Sequence, residues 1–157
     1  MQKKIISIEP QEKLSSEQNW LNLETIATVE MTSEDANHPI EMALTSDEHT
    51  GWRASEAGKQ MIRFVFNEPQ EIKLIKLCFL ELTQARTQEY VLRYSADQGQ
   101  SSHEVVRQQW NFNPEGANTE IEEHQLDLQN VSLLELIIIP EISGGELRAS
   151  LQTLLVA

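Results

Sequence analysis

The chain has 157 residues, 39% of them hydrophobic, enough for one domain with a buried core. Its 12 basic and 25 acidic residues leave a net charge of −13, which repels phosphate and so argues against nucleic acid and anionic membranes as partners. The single cysteine, Cys78, excludes an internal disulfide framework and any cysteine-based zinc site.

At the N-terminus the apolar run around Ile5, Ile6 and Ile8 meets Glu9 and Pro10, too soon for a signal-peptide core. No segment approaches the ~18 apolar residues of a membrane span. The expectation is a soluble, cytoplasmic protein. Ser15 with Gln18 three residues on has the form of a capping box for a turn near Trp20. Pro39 stands at a first helical position, which predicts one short helix over residues 39–44.

From residue 60 onward the pattern is that of strands. Ile62, Phe64 and Phe66 share one face at a period of two, and Asn67 to Gln70 reads as a turn. Residues 72–80 are apolar on both faces, which predicts a central strand covered on both sides. Residues 88–95 alternate again, Ala96 to Gln100 turns the chain with Gly99 free to take positive φ, and residues 103–110 read as the hairpin partner. Asn111 to Thr119 reads as a loop. Residues 120–128 alternate more weakly, and residues 132–139 end in a β-branched run before Pro140. Ser143-Gly144-Gly145 turns the chain into a last strand over 148–156. The spacing predicts an all-β protein, an antiparallel jelly-roll β-sandwich of about eight strands with one short helix. Most acids then fall on solvated faces and loops, where they oppose edge-to-edge association. No cluster of basic residues is visible along the chain. Arg63, Arg93 and Arg107 fall within predicted strands, and their partners are the first to look for.

Three stretches in this order resemble the discoidin family, the coagulation-factor type C domains of the galactose-binding-like jelly-roll class. Ala43 to Ala54 is similar to the family's Ala-x-Asp-Gly…Thr-x-Trp loop. Gln60 to Phe66 with Pro69 to Ile72 resembles the strand Trp-Ile-x-Val-Asp-Leu-Gly and its turn. Tyr90 to Gly99 resembles Tyr-x-Val-x-Tyr-Ser-x-Asp-Gly. The likeness spans roughly residues 25–157. It implies a single galactose-binding-like domain over 1–157, with 1–24 as an N-terminal extension or first strand. It also implies that Trp52 is a core residue and that ligands bind in the loops at one end of the jelly roll. Those loops carry Glu34, Asp35, His38 and Arg53, with a further loop before Arg86. Many relatives hold a structural calcium with first-loop oxygens and a Glu in the final strand. Here residues 149–154 contain no acid, and Asp47 alone is left as a weak candidate metal residue; no other cofactor is expected.

Arg86 and the run Arg107 to Phe112 bring guanidinium, amide and aromatic groups to the ends of neighbouring predicted strands. Arg86, Trp110 and Asn111 have the chemistry of a sugar site, an aromatic face beside planar hydrogen-bonding groups. The same residues also suit a structural role, the arginines paired with Glu89 or Glu122 and the aromatics plugging one end. No catalytic signature is present. The four histidines have no metal spacing, and Cys78 inside an apolar strand reads as an inert thiol. The resulting expectation is a non-catalytic module that binds carbohydrate. The alternative is a cytoplasmic protein–protein interaction module, and a hydrolase built on paired carboxylates ranks third.

Overall fold

A computed structural model describes residues 2–4, 19–46 and 50–157. The capping box at Ser15 and Gln18, the run around Ile5, and Asp47 to His49 lie outside the described residues. A single α-helical turn, α1 (Leu23–Ile26), leads into β1 (Ala27–Met31). Its Leu23 is buried, and just before it the Leu21 N–H donates to the Val156 carbonyl. Pro39 precedes a 3-10 turn, Ile40–Ala43, in place of the expected α-helix. The strands that follow are β2 (Trp52–Ala57), β3 (Gln60–Leu80), β4 (Arg86–Ser95), β5 (His103–Phe112), β6 (Thr119–Ile139), β7 (Arg148–Leu151) and β8 (Thr153–Val156).

All pairings are antiparallel. The main sheet runs β1-β3-β6-β4-β5, with β8 also on β3, while β2 and β7 form a separate ribbon. The two long strands make the sandwich. Through its first half β3 pairs with β1 and the end of β6, and through its second half with β8 and the start of β6. Register shifts between Val65 and Leu74 absorb the bend between layers, so the expected turn at 67–70 is a corner inside one strand. Pro69 sits at that corner, where the ladder is already interrupted. The partner strand bends at Asn130, which adopts φ 55°. The last expected strand is likewise two, β7 and β8, separated by Gln152.

Alternation places the core between the layers. Ile62, Phe64, Leu134, Leu136, Ile138, Tyr90 and Leu92 face in from one layer, and Ile75, Leu77, Phe79, Leu154 and Val156 from the other. Each large apolar side chain buried this way contributes about 1.5–3 kcal/mol. Phe79 stacks on Tyr90 across the interface at 5.1 Å. The far face of 72–80 is only partly covered: Leu74 is buried, whereas Cys78 and Leu80 are half-buried. Burial pushes the Cys78 thiol up, away from thiolate.

The strand arginines find acids. Register sets Glu30, Arg63, Glu135, Arg93 and Glu104 side by side on the outer face, alternating in charge across five strands. Arg63 lies 3.5 Å from Glu30 and 2.8 Å from Glu135. Arg107 reaches Glu89 at 3.1 Å and Glu104 at 2.7 Å, and Arg93 donates to Ser102 Oγ.

The β2–β7 ribbon closes one end of the sandwich, and Gly51 sets its approach. Gly51 has φ +73°, and a Cβ there would lie 2.7 Å from the Leu151 carbonyl oxygen. Gly51→Ala is therefore expected to cost about 1–3 kcal/mol through strain at positive φ. Urea unfolding of the variant checks it.

Candidate functional site

Beside the β2–β7 ribbon lies a cleft of about 290 Å³. Its walls are Thr50, Trp52 and Arg53 at the start of β2, residues 80–84 and Arg86 between β3 and β4, and Arg148 to Gln152 around β7, with His38 at one side. Three of the six arginines, Arg53, Arg86 and Arg148, line it, and Glu81 is the one acid among the described lining residues. The fold thus assembles the basic cluster that the linear sequence hides.

Pairing explains how these cations are held. Arg53 stands opposite Ser150, and Arg148 is two residues further along the same strand. Period-two alternation puts Arg53, Ser150 and Arg148 on one face of the ribbon. The Arg53 backbone also tethers the 32–39 loop: its carbonyl accepts the Asp35 N–H, and its N–H donates to the His38 carbonyl. Neither Arg53 nor Arg148 forms an ion pair with a described residue.

Arg86 is different. Its side chain is 2% exposed, packs over the Phe112 ring at 5.2 Å and lies 3.4 Å from Glu81. Its Nε has no hydrogen bond of good geometry. Burial pulls its ionisation downward, Glu81 opposes that, and Arg53 adds to it by repulsion. Two guanidinium groups close enough to repel, one of them buried, form a positive seat in a negative protein. Thr50, Thr83, Gln84 and Ser150 supply hydroxyl and amide groups around that seat. The only aromatic lining residue, Trp52, is 1% exposed, while Leu82, at 62%, offers an apolar surface at the rim.

Of the residues expected from sequence, the structure brings His38, Arg53 and Arg86 together in this cleft. Glu34 instead caps the 3-10 turn, its Oε2 accepting the Ile40 N–H at 2.8 Å. Asp35 braces the same loop. Its carboxylate is held below its usual range, first by the Asn37 N–H and further by His38 and Arg148. Trp110 and Asn111 lie on β5 and do not line the cleft. Trp110 packs against Phe112, its indole N–H buried without an acceptor, and Asn111 Oδ1 accepts from Thr87 Oγ1. Arg148, Glu81 and Ser150 were missed. Their signal is spatial, because the ribbon partners are far apart in sequence.

The remaining histidines sit elsewhere. His103 packs on Tyr94, and His124 shares a 2.8 Å hydrogen bond with the Tyr90 hydroxyl. Among the described residues no group of three His, Cys, Asp or Glu side chains could hold a metal. A buried polar set lies between the layers: Gln88 and Tyr90 from β4 beside Glu120, Glu122 and His124 from β6. Glu120 is 1% exposed, and burial, with Glu122 next to it, raises its carboxyl to about 7.

The model of the F5/8 type C domain matches residues 26–147. Among solved structures, the family 32 carbohydrate-binding module from Clostridium perfringens NanJ, in complex with galactose, superposes with a TM-score of 0.60. Identity is 17%, over 83% of this chain and 92% of that one. A second Clostridium perfringens module, CpGH89CBM32-5 with GalNAc-β-1,3-galactose, gives 0.62 at 17% identity, over 88% and 99%. The corresponding module of AlyQ, in complex with 4,5-unsaturated mannuronic acid, gives 0.62 at 16%, over 89% and 98%. No curated protein matches the chain.

Proposed function

Because the chain belongs to the F5/8 type C domain family, we propose that it is a non-catalytic carbohydrate-binding module whose ligand sits in the arginine-lined cleft. The observation that carries this reading is the convergence of Arg53, Arg86, Arg148 and His38 in one cleft. The fold neighbours bound to galactose, GalNAc-galactose and unsaturated mannuronic acid support the ligand class. Guanidinium, hydroxyl and amide groups recognise sugar hydroxyls by hydrogen bonds, and Leu82 offers a small apolar face to the ring. Because Arg53 is fixed by the β2–β7 pairing and by two backbone bonds to the 32–39 loop, its base is preorganised and less ordering is needed on binding.

A glycan array followed by calorimetry tests the proposal. Wild type is expected to bind at least one glycan with a Kd of ~1 mM or tighter. Arg53→Ala is expected to weaken it by about 10-fold, the loss of a charge-assisted hydrogen bond, without changing the fold. No sugar binding at millimolar concentration, with a specific protein captured through the same cleft, would favour the protein-interaction reading instead.

A further inference from the structure

Resting on the carbohydrate reading, we infer that the cleft selects sugars bearing a carboxylate, and that Arg53 and Arg148 receive that group. Four observations lead there. First, the charge is placed against the global field: a chain of net −13 gathers three of its six arginines in one cleft, with Glu81 the one acid among the described lining residues. Second, the other three arginines lie on strands outside the cleft, where Arg63 and Arg107 are paired with acids, and Arg86 within the cleft is matched by Glu81. Arg53 and Arg148 have no ion pair with a described residue; Asp35 acts on Arg148, and Glu141 on Arg86, without forming one, so both exposed guanidinium groups keep their donors for a ligand.

Third, the geometry suits one planar anion. Arg53 and Arg148 both line the cleft from the two-stranded ribbon, with Ser150 directly opposite Arg53, Arg148 opposite Ala57 and a register shift between the two pairs. Two exposed guanidinium groups lining one cleft offer donors to an anion that enters it. A carboxylate accepts from both planar forks, and the Ser150 hydroxyl sits on the same face to meet an adjacent ring hydroxyl. Buried Arg86, whose Nε lacks a hydrogen bond, adds positive potential from behind. Fourth, the described lining residues include no exposed aromatic platform, since Trp52 is 1% exposed. A neutral sugar would have to bind without the stacking that gives such ligands most of their apolar contact. A charged sugar has a second source of affinity.

Calorimetry with galacturonate and glucuronate trisaccharides, their carboxyl-reduced neutral counterparts and a sulfated disaccharide tests this on the full chain. At low salt the uronates are expected to bind about 10-fold tighter than their reduced counterparts, and the difference is expected to shrink at high salt. Arg148→Gln, a change at an exposed position, is expected to lower uronate affinity more than neutral affinity, so that the ratio between the two falls to about one. Arg53→Gln serves as the second variant. Equal affinity for acid and neutral forms, or a preference that survives both substitutions, overturns the inference and leaves the carbohydrate reading standing. Tighter binding of the sulfated sugar overturns the carboxylate assignment. Absence of binding to every sugar overturns both.

Discussion

Trp52→Ala is expected to destabilise the protein by about 3–5 kcal/mol and to abolish binding in the cleft. Trp52 is 1% exposed and among the largest fully buried side chains, and it stands opposite Leu151 in the β2–β7 ribbon. Its ring is the largest of the ribbon side chains packed in the core, beside Ala54, Ala149 and Leu151, and its neighbour Arg53 lines the cleft. A cavity there removes packing from the one element that carries both Arg53 and Arg148. Trp52→Phe is expected to be much milder. The indole N–H is buried without an acceptor, so phenylalanine removes an unmet donor while keeping most of the apolar contact. Urea unfolding of the two variants, read beside calorimetry, separates them. Equal losses would mean that the indole nitrogen has a partner or that the ring volume is indispensable.

Glu120→Gln is expected to stabilise the protein by about 3 kcal/mol at pH 8 and to have little effect at pH 4. The sign follows from the direction of the perturbation. Burial raises the folded-state carboxyl to about 7 from an ordinary 4.5, and neither oxygen has a hydrogen bond of good geometry. Below pH 4.5 the acid is neutral in both folded and unfolded chains, and stability does not suffer. As pH rises from there the unfolded chain ionises first, so stability is lost progressively until the folded carboxyl also ionises near 7. His124, on the same strand, acts in the opposite direction. Burial lowers it, so its contribution is present at neutral pH and lost on acidification. Comparing the variant with wild type at pH 4, 6 and 8 isolates Glu120, since His124 is common to both. A stability difference that does not change with pH would contradict the burial argument.

The strands were legible in the sequence where one face is buried. Tyr90 and Leu92 alternate with outward-facing neighbours, and β4 follows that alternation. Residues 72–80 announce a central strand by being apolar on both faces, and β3 indeed lies there between β6 and β8. The corners were not legible. Pro69 and its polar neighbours have the chemistry of a turn, yet the chain continues in one strand because register shifts take up the bend. The short β1 and β2 were also missed: β1 alternates only half-buried with exposed positions, and β2 buries just Trp52 and Ala54, too short a pattern over five or six residues. In the cleft, the loop positions of His38 and Arg53 could be found from family resemblance, and Arg86 from the guanidinium, amide and aromatic groups near it in sequence. Arg148 could not, because its partnership with Arg53 exists only through the pairing of β2 with β7. Trp110, whose sequence neighbours suggest a sugar site, lies on β5 outside the cleft and packs against Phe112.

The central claim is that sugar binds in the cleft between the β2–β7 ribbon and the 80–86 loop. An amide-resolved NMR titration with a galacturonate trisaccharide locates the ligand directly. The account predicts that the largest shifts fall on Arg53, Thr83, Gln84, Arg148 and Ser150, and that β5 with Trp110 and Asn111 is unmoved. Shifts confined to β5, or to the outer face around Arg63 and Glu135, would contradict it.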